Sequence, residues 1–203
     1  MCVGLELTLL SENEYERLSS GDMTPAMAAR YLQEGEFRLR GFDEVLRSLY
    51  PQPDLQPRLT AALLAAEPGA NPESVSRTVR NWMNGHSRPT KREDVFRIAF
   101  ALDLSEAQTN RLLGVCTDYG IHYRNGRDVI YAWFLRNGGT YAGARDFFEA
   151  LPEMPRLDAL PENASSHLTH ELQSAFLQVH STAELRECYR ANLGLSLIHI
   201  SEP

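Results

Sequence analysis

The sequence predicts an all-α protein. Helix start and stop signals recur along the chain, and no stretch shows the alternation of apolar and polar residues that is typical of a half-buried strand. The densest run of these signals spans Asn71 to Gly114, which we expect to form three short helices. The predicted architecture is a five-helix bundle with additional N- and C-terminal helices.

The chain begins with a predicted helical preface over residues 1–40. Thr24 followed by Pro25 matches the start of a helix, and Gly35 matches its end. The five-helix bundle is expected over residues 41–115. Its first helix carries apolar residues at helical spacing: Phe42, Val45, Leu46 and Leu49. Its second helix has Asp54 as a plausible cap and Leu55, Leu59 and Leu63 along one side.

The third helix of the bundle has a clear start and a clear end. Asn71 is a favourable N-cap, and Pro72 suits the first helical position because its missing N–H is not needed there. Gly85 closes the helix.

The fourth and fifth helices of the bundle are marked in the same way. Pro89 blocks continuation of the third helix, and the run Thr90–Glu93 matches a capping box for the fourth. Ser105 and Gln108 repeat the box for the fifth helix, which we expect Gly114 to end.

The third helix has two chemically different faces. At about 100° per residue, one face carries Val75, Val79, Trp82 and Met83. The other face carries Arg77, Arg80, Asn81 and Asn84. Guanidinium and amide groups suit guanine edges, adenine edges and phosphates in a DNA major groove. An ordinary solvated helix face is the alternative that these residue types leave open.

The run VSRTVRNWMNGHSRP over residues 75–89, followed by VFRIAFALDLS over residues 95–105, resembles helix-turn-helix domains of the lambda-repressor and Cro type. In that family a recognition helix ends in a Trp, as at Trp82, and a Gly and a Pro follow, as at Gly85 and Pro89. The resemblance covers about a third of the chain. It implies a five-helix helix-turn-helix bundle and a bacterial, XRE-like regulator of transcription.

The resemblance also implies roles for individual residues. Base reading falls to the exposed positions Ser76, Arg77, Arg80 and Asn81. The recognition helix would be seated by Val75, Val79 and Trp82. Phosphates would be held by Arg88, Lys91 and Arg92. The expected partner is double-stranded DNA, bound by a homodimer if this chain follows the many repressors that meet a symmetric site in pairs.

The charge distribution fits a local contact with nucleic acid. Residues 73–97 carry six basic and three acidic side chains, a net charge of +3, whereas the remainder of the chain carries −10. A basic island in an acidic chain is the electrostatic pattern that a local DNA contact would leave, and random clustering of charges is the alternative explanation.

A second function remains open because the chain departs from the family. The segment Leu55–Ala66 is apolar, where the family has a polar helix, and residues 67–72 make a longer turn. Residues 116–151 are predicted to form an aromatic-rich helical pair packed on the bundle. If it were exposed, the region around Trp133 and Phe147 would bind a protein partner. The alternative is therefore a protein-interaction module without DNA binding.

No enzyme, metal site or cofactor is predicted. His167 and His170 have spacing that a metal could use, but surface histidines are favoured because no third ligand is evident. Cys116 with His122 could suggest a nucleophile and its base, but a buried cysteine is favoured because no third orienting residue is evident.

The remaining segments complete the predicted organisation. Residues 152–164 contain three prolines and are predicted to be a linker, and residues 165–194 are predicted to form C-terminal helices. Residues 195–203, LSLIHISEP, match the translation of a transposase sequencing adapter, so we expect them to be non-native and the natural gene to continue. Cysteines without CxxC spacing and the absence of a long apolar run favour a cytoplasmic protein with no membrane segment.

Overall fold

The computed structural model describes residues 24–34, 41–117, 119–123, 125–151 and 165–191. These ranges contain ten α-helices and no strand, so the predicted all-α class is confirmed for the described part of the chain. In order, the helices are α1 Pro25–Glu34, α2 Phe42–Leu49, α3 Leu55–Ala66, α4 Pro72–Met83, α5 Arg92–Ala101, α6 Glu106–Cys116, α7 Gly126–Arg136, α8 Tyr141–Glu149, α9 Ser165–Leu177 and α10 Thr182–Ala191. Most of the predicted preface, the linker and the adapter-like tail lie outside the described residues.

Hydrogen bonds confirm several predicted helix ends. At the start of α6, Ser105 Oγ accepts the Gln108 N–H at 3.2 Å, and Gln108 Oε1 accepts the Ser105 N–H at 2.8 Å. This reciprocal pair is the predicted capping box. Thr140 caps α8 by accepting the Gly143 N–H at 3.1 Å. These local signals fix helix starts without help from distant residues.

The predicted capping box at Thr90–Glu93 is wrong. Helix α5 begins at Arg92, and its N-cap residue Lys91 makes no side-chain capping hydrogen bond. The Glu93 carboxylate instead accepts hydrogen bonds from two tyrosine hydroxyls, those of Tyr131 at 2.9 Å and Tyr141 at 2.6 Å. The Glu93 carboxylate, which the local pattern assigned to the cap, is therefore engaged in tertiary contacts with α7 and α8.

The predicted end of the fifth bundle helix at Gly114 is also wrong. Helix α6 continues through Gly114 to Cys116. Glycine inside a helix costs about 1 kcal/mol relative to alanine. Leu113 and Cys116 are buried on either side of Gly114. Their burial offsets the cost of the glycine, because Cys116 reaches the core only if the helix continues past Gly114.

Helices α2 to α6 enclose the first part of the core. Helix α3 packs against α4 and α5, α2 packs against α4 and α6, and α5 packs against α6. The apolar side chains of these helices that are 0% exposed are Val45, Leu46, Leu59, Val79, Val95, Ile98, Ala99, Leu112 and Leu113. This arrangement buries one face of α4 and leaves the other to solvent.

Helices α7 and α8 extend the core on the other side of α5. The Tyr131 ring meets Phe96 edge-on with centroids 5.1 Å apart, and Tyr141 meets Phe100 at 6.1 Å. Helix α9 packs against α7 and α10. In the described part of the chain, α7 therefore has other helices packed on both of its sides.

Candidate nucleic-acid interface

Helix α4 begins where the sequence predicted. The Asn71 carboxamide oxygen accepts the backbone N–H groups of Glu73 and Ser74, at 2.9 and 3.2 Å. Pro72 occupies the first helical position, where no backbone donor is required. Beyond the C-cap, Gly85 has a φ of 69°, in the left-handed region that glycine adopts without steric strain.

The apolar face of α4 is anchored in the core. Its buried residues are Val79, Trp82 and Met83, with Val75 half-buried beside them. The Trp82 ring packs edge-on against Phe42 of α2, with centroids 6.3 Å apart. The Arg47 guanidinium of α2 donates a hydrogen bond to the Met83 carbonyl oxygen at 2.8 Å. These contacts fix the orientation of α4, so its outer face has a defined direction.

The outer face of α4 carries the predicted base-reading residues. Arg77 and Arg80 are exposed, and Ser76 is half-buried between them and the bundle. An open concavity of about 430 Å³ runs along this face, lined by Pro72, Glu73, Ser76, Arg77 and Arg80. The structure therefore brings three of the four predicted base-reading residues to one surface.

Asn81, the fourth predicted base reader, lies toward the end of α4. It is half-buried, and its backbone carbonyl accepts the His86 N–H at 3.0 Å and the Ser87 N–H at 3.4 Å. These bonds are backbone contacts that close the turn after α4. Asn81 does not line the concavity that the other three share.

Most cations of the described residues have a structural partner. The arginine and lysine side chains of these residues that make no hydrogen bond, ion pair or ring contact are Arg77, Arg80, Lys91 and Arg190. Arg77, Arg80 and Lys91 lie on α4 or in the segment that leads from it to α5. The outer face of α4 and the segment after it therefore present cationic groups that make no hydrogen bond or ion pair with a described side chain.

The three predicted phosphate contacts differ in their surroundings. Lys91 is exposed and makes no hydrogen bond to a described residue. Arg88 is also exposed, and its guanidinium donates one hydrogen bond to the Val115 carbonyl oxygen at 3.0 Å. Arg92 is only 14% exposed and points into the protein. Lys91 and Arg88 are therefore accessible to an external ligand, whereas the Arg92 guanidinium is largely enclosed by the protein.

Arg92 instead closes the segment between α6 and α7. Its guanidinium forms an ion pair with Asp128, whose side chain is 3% exposed. It also donates to Thr117 Oγ1 at 3.0 Å and to the carbonyl oxygens of Tyr119 at 3.2 Å and Gly120 at 2.7 Å. The planar, multidentate guanidinium suits several acceptors in one place. Arg92 is therefore a structural residue of this segment.

Sequence reasoning missed Glu73 as part of the surface. It counted this residue only as a negative charge, although Glu73, Arg77 and Arg80 follow one another at helical spacing. The structure places the exposed Glu73 carboxylate in the same concavity as the two arginines. The i, i+4 and i, i+7 spacing was the available signal.

The alternative partner surface is largely covered. Trp133 is 5% exposed, and its indole N–H donates to the Val179 carbonyl oxygen at 2.9 Å, in the turn between α9 and α10. The Phe147 ring is half-buried, with the Arg186 guanidinium of α10 at 5.3 Å from its centroid. A protein partner at Trp133 and Phe147 would have to displace α9 and α10.

The catalytic and metal candidates gain no support from their surroundings. Cys116 is buried, and burial raises the pKa of its thiol to about 12, which opposes formation of a nucleophilic thiolate. The side chains of His167 and His170 lie outside the described part of the chain. Among the described residues no group of three or more His, Cys, Asp or Glu side chains is placed to hold a metal ion.

Comparisons of the chain with models of known protein families, with curated proteins and with solved structures found no match. Across the described ranges, every helix is too short or too polar to cross a lipid bilayer.

Proposed function

We propose that this chain is a DNA-binding protein of the helix-turn-helix type that regulates transcription. The observation that carries the proposal is the outer face of α4. There Arg77 and Arg80 are exposed and make no hydrogen bond, ion pair or ring contact with any described residue. Because these guanidinium groups make no contact within the described chain, they are available to a ligand outside it.

The arrangement of helices supports the proposal. Helices α3 and α4 pack together across a short connection, and α2, α5 and α6 complete a set of five, the number in the family that the sequence resembles. In that family the second helix of the central pair enters the major groove. Helix α4 would take the corresponding place in this chain, since its apolar face is buried and its polar face is exposed.

The chemistry of the outer face suits base edges flanked by phosphates. Arg77 and Arg80 are one helical turn apart, and a guanidinium can donate two parallel hydrogen bonds to guanine O6 and N7. Ser76 offers a hydroxyl that can donate or accept beside them. Arg88 and Lys91 follow α4 and would contact the phosphates next to the groove.

The test measures affinity across a salt series. Labelled duplexes enriched from a random pool by the wild-type chain would be titrated by fluorescence anisotropy. The double variant Arg77→Ala/Arg80→Ala would be compared with Arg145→Ala/Arg190→Ala, which removes the same charge from the half-buried Arg145 on α8 and the exposed Arg190 on α10. Each base-reading arginine should contribute about 1–3 kcal/mol, so the first variant should bind at least about tenfold more weakly while the second binds as the wild type does.

The salt dependence gives a second, independent readout. The cations that the proposal assigns to phosphates are Arg88 and Lys91, both exposed. At about −0.9 per neutralised phosphate, these two residues should contribute about −1.8 to the slope of log affinity against log salt. A folded chain that binds no duplex at low salt, or equal losses in both double variants, would refute the proposal.

The alternative is a protein-interaction module on the same scaffold. The observation in its favour is α3, whose exposed side includes Ala61 and Ala65 where the family has polar residues. The burial of Trp133 and the cover over Phe147 weigh against the aromatic region as the contact. Retention of a protein partner by a chain that retains no duplex at low salt would favour this alternative.

A further inference from the structure

We propose that Glu73 reads DNA sequence directly, by accepting a hydrogen bond from the N4 amino group of a cytosine next to the guanines that Arg77 and Arg80 contact. This inference rests on the proposed function and deepens it. Its basis is the concavity on α4, in which an exposed carboxylate shares one surface with two unpartnered guanidinium groups.

These charges lie at a spacing that allows pairing, yet they do not pair. A Glu four residues before an Arg has the spacing and direction in which the two side chains readily pair. Glu73 and Arg77 have this spacing, yet no ion pair joins them, and neither makes another side-chain hydrogen bond to a described residue. The backbone of Glu73 is nevertheless held firmly, because Asn71 accepts its N–H at 2.9 Å. A fixed backbone and an unengaged carboxylate are what a reading residue needs.

A carboxylate that faces DNA restricts which bases can lie opposite to it. Phosphates repel it, and so do the acceptor atoms that guanine and thymine present in the major groove. Adenine presents its N6 amino donor beside the N7 acceptor, which also repels a carboxylate, whereas cytosine presents an amino donor alone, and Asp and Glu are its usual side-chain partners. Glu73 therefore weakens binding to most sequences and restores it where a cytosine lies in register.

The competing explanation is local. Glu73 lies in the first turn of α4, where the positive end of the helix dipole favours a carboxylate. If helix stability were its whole role, replacing Glu73 would alter the unfolding transition and leave base preference unchanged. The two explanations therefore differ in a measurement that stability alone does not affect.

The experiment is enrichment of duplexes from a random pool by the full chain, followed by sequencing. The wild type would be compared with Glu73→Gln, which retains the shape of the side chain and removes its charge. The control is Glu184→Gln, which removes the charge of a carboxylate in the first turn of α10 that accepts the His180 N–H at 2.9 Å, away from α4.

We expect the wild type to enrich cytosine at one position beside guanines. Glu73→Gln should lose about tenfold of that preference and shift it toward adenine, because an amide both donates to and accepts from the adenine edge. Its binding to unselected duplex should rise, since one repulsive charge is gone. Glu184→Gln should enrich the same sequences as the wild type.

Two different failures can be told apart. If the wild type enriches a sequence in an Arg77-dependent way and Glu73→Gln enriches the same sequence, the inference about Glu73 is overturned and DNA binding stands. If the wild type retains no duplex at low salt, both proposals are overturned.

Discussion

Replacing Arg92 by Ala distinguishes a structural arginine from a DNA-contacting one. Sequence reasoning assigned Arg92 to phosphates together with its neighbour Lys91. In the structure the Arg92 guanidinium is 14% exposed and pairs with Asp128, which is 3% exposed, whereas Lys91 is exposed. Alanine substitution should therefore lower the stability of the chain at Arg92 and change DNA binding at Lys91.

The expected loss of stability in Arg92→Ala follows from the Asp128 carboxylate, which stays buried without its counter-ion. Removing one partner of a buried ion pair costs about 3–5 kcal/mol, because the other charge keeps its desolvation penalty without its counter-ion. The lower end applies here, since Asp128 retains the His122 N–H at 2.9 Å and lies in the first turn of α7, where the helix dipole favours a carboxylate. A loss of about 3 kcal/mol should lower the Tm of a chain of this size by about 6–12 °C.

The assay is urea denaturation followed by circular dichroism, with Lys91→Ala as the control variant. We expect Lys91→Ala to stay within about 0.5 kcal/mol of the wild type and to flatten the salt slope of DNA binding by about 0.9. Arg92→Ala should be destabilised and, below its unfolding transition, should keep the wild-type slope. An Arg92→Ala chain of wild-type stability with a flattened slope would refute the assignment of Arg92 to the interior.

Two further predictions concern the ends of helices. Asn71→Ala should lower the free energy of unfolding by about 1 kcal/mol, because two backbone N–H groups of α4 lose their acceptor, whereas Asn71→Asp should keep most of the stability; equal losses by urea denaturation would contradict the capping role. Cys116, whose thiol pKa burial raises to about 12, should be protonated at about pH 8 and resist iodoacetamide in the folded chain. Peptide mapping by mass spectrometry should find Cys188, which is half-buried, alkylated first, and equal labelling of both cysteines in the folded chain would show that Cys116 is not buried.

Helix positions were predictable where the signal is local. The Asn71 cap and the positive φ of Gly85 depend on neighbouring backbone groups, so the sequence is sufficient to place them. Gly114 and Glu93 carry the same kinds of signal, yet their outcome depends on distant residues. The burial of Cys116 carries α6 past Gly114, and tyrosines 38 and 48 residues away take the Glu93 carboxylate. Local propensity fails to predict a helix end or a cap where contacts with distant residues determine it.

The outer face of α4 was predictable for a related reason. Helical periodicity separates Arg77 and Arg80 from Val79 and Trp82 without any knowledge of the fold. The same reasoning could not separate Lys91 from Arg92, because the partner that turns Arg92 inward lies 36 residues further along the chain. It also could not show whether Glu73 pairs with Arg77, since helical spacing allows pairing and does not require it.

The count of charges in the basic island therefore overstates what DNA would meet. Arg97, like Arg92, is committed to the protein, since its guanidinium pairs with Glu67 at 2.6 Å and donates to the Tyr141 hydroxyl at 3.1 Å. These bonds join the turn before α4 to α8, and Arg47 holds the other end of α4 to α2. A helix held at both ends loses little conformational freedom when it binds, so more of its contact energy appears as affinity. Arg97 and Arg47 would thus serve DNA binding by fixing the helix on which Arg77 and Arg80 are presented.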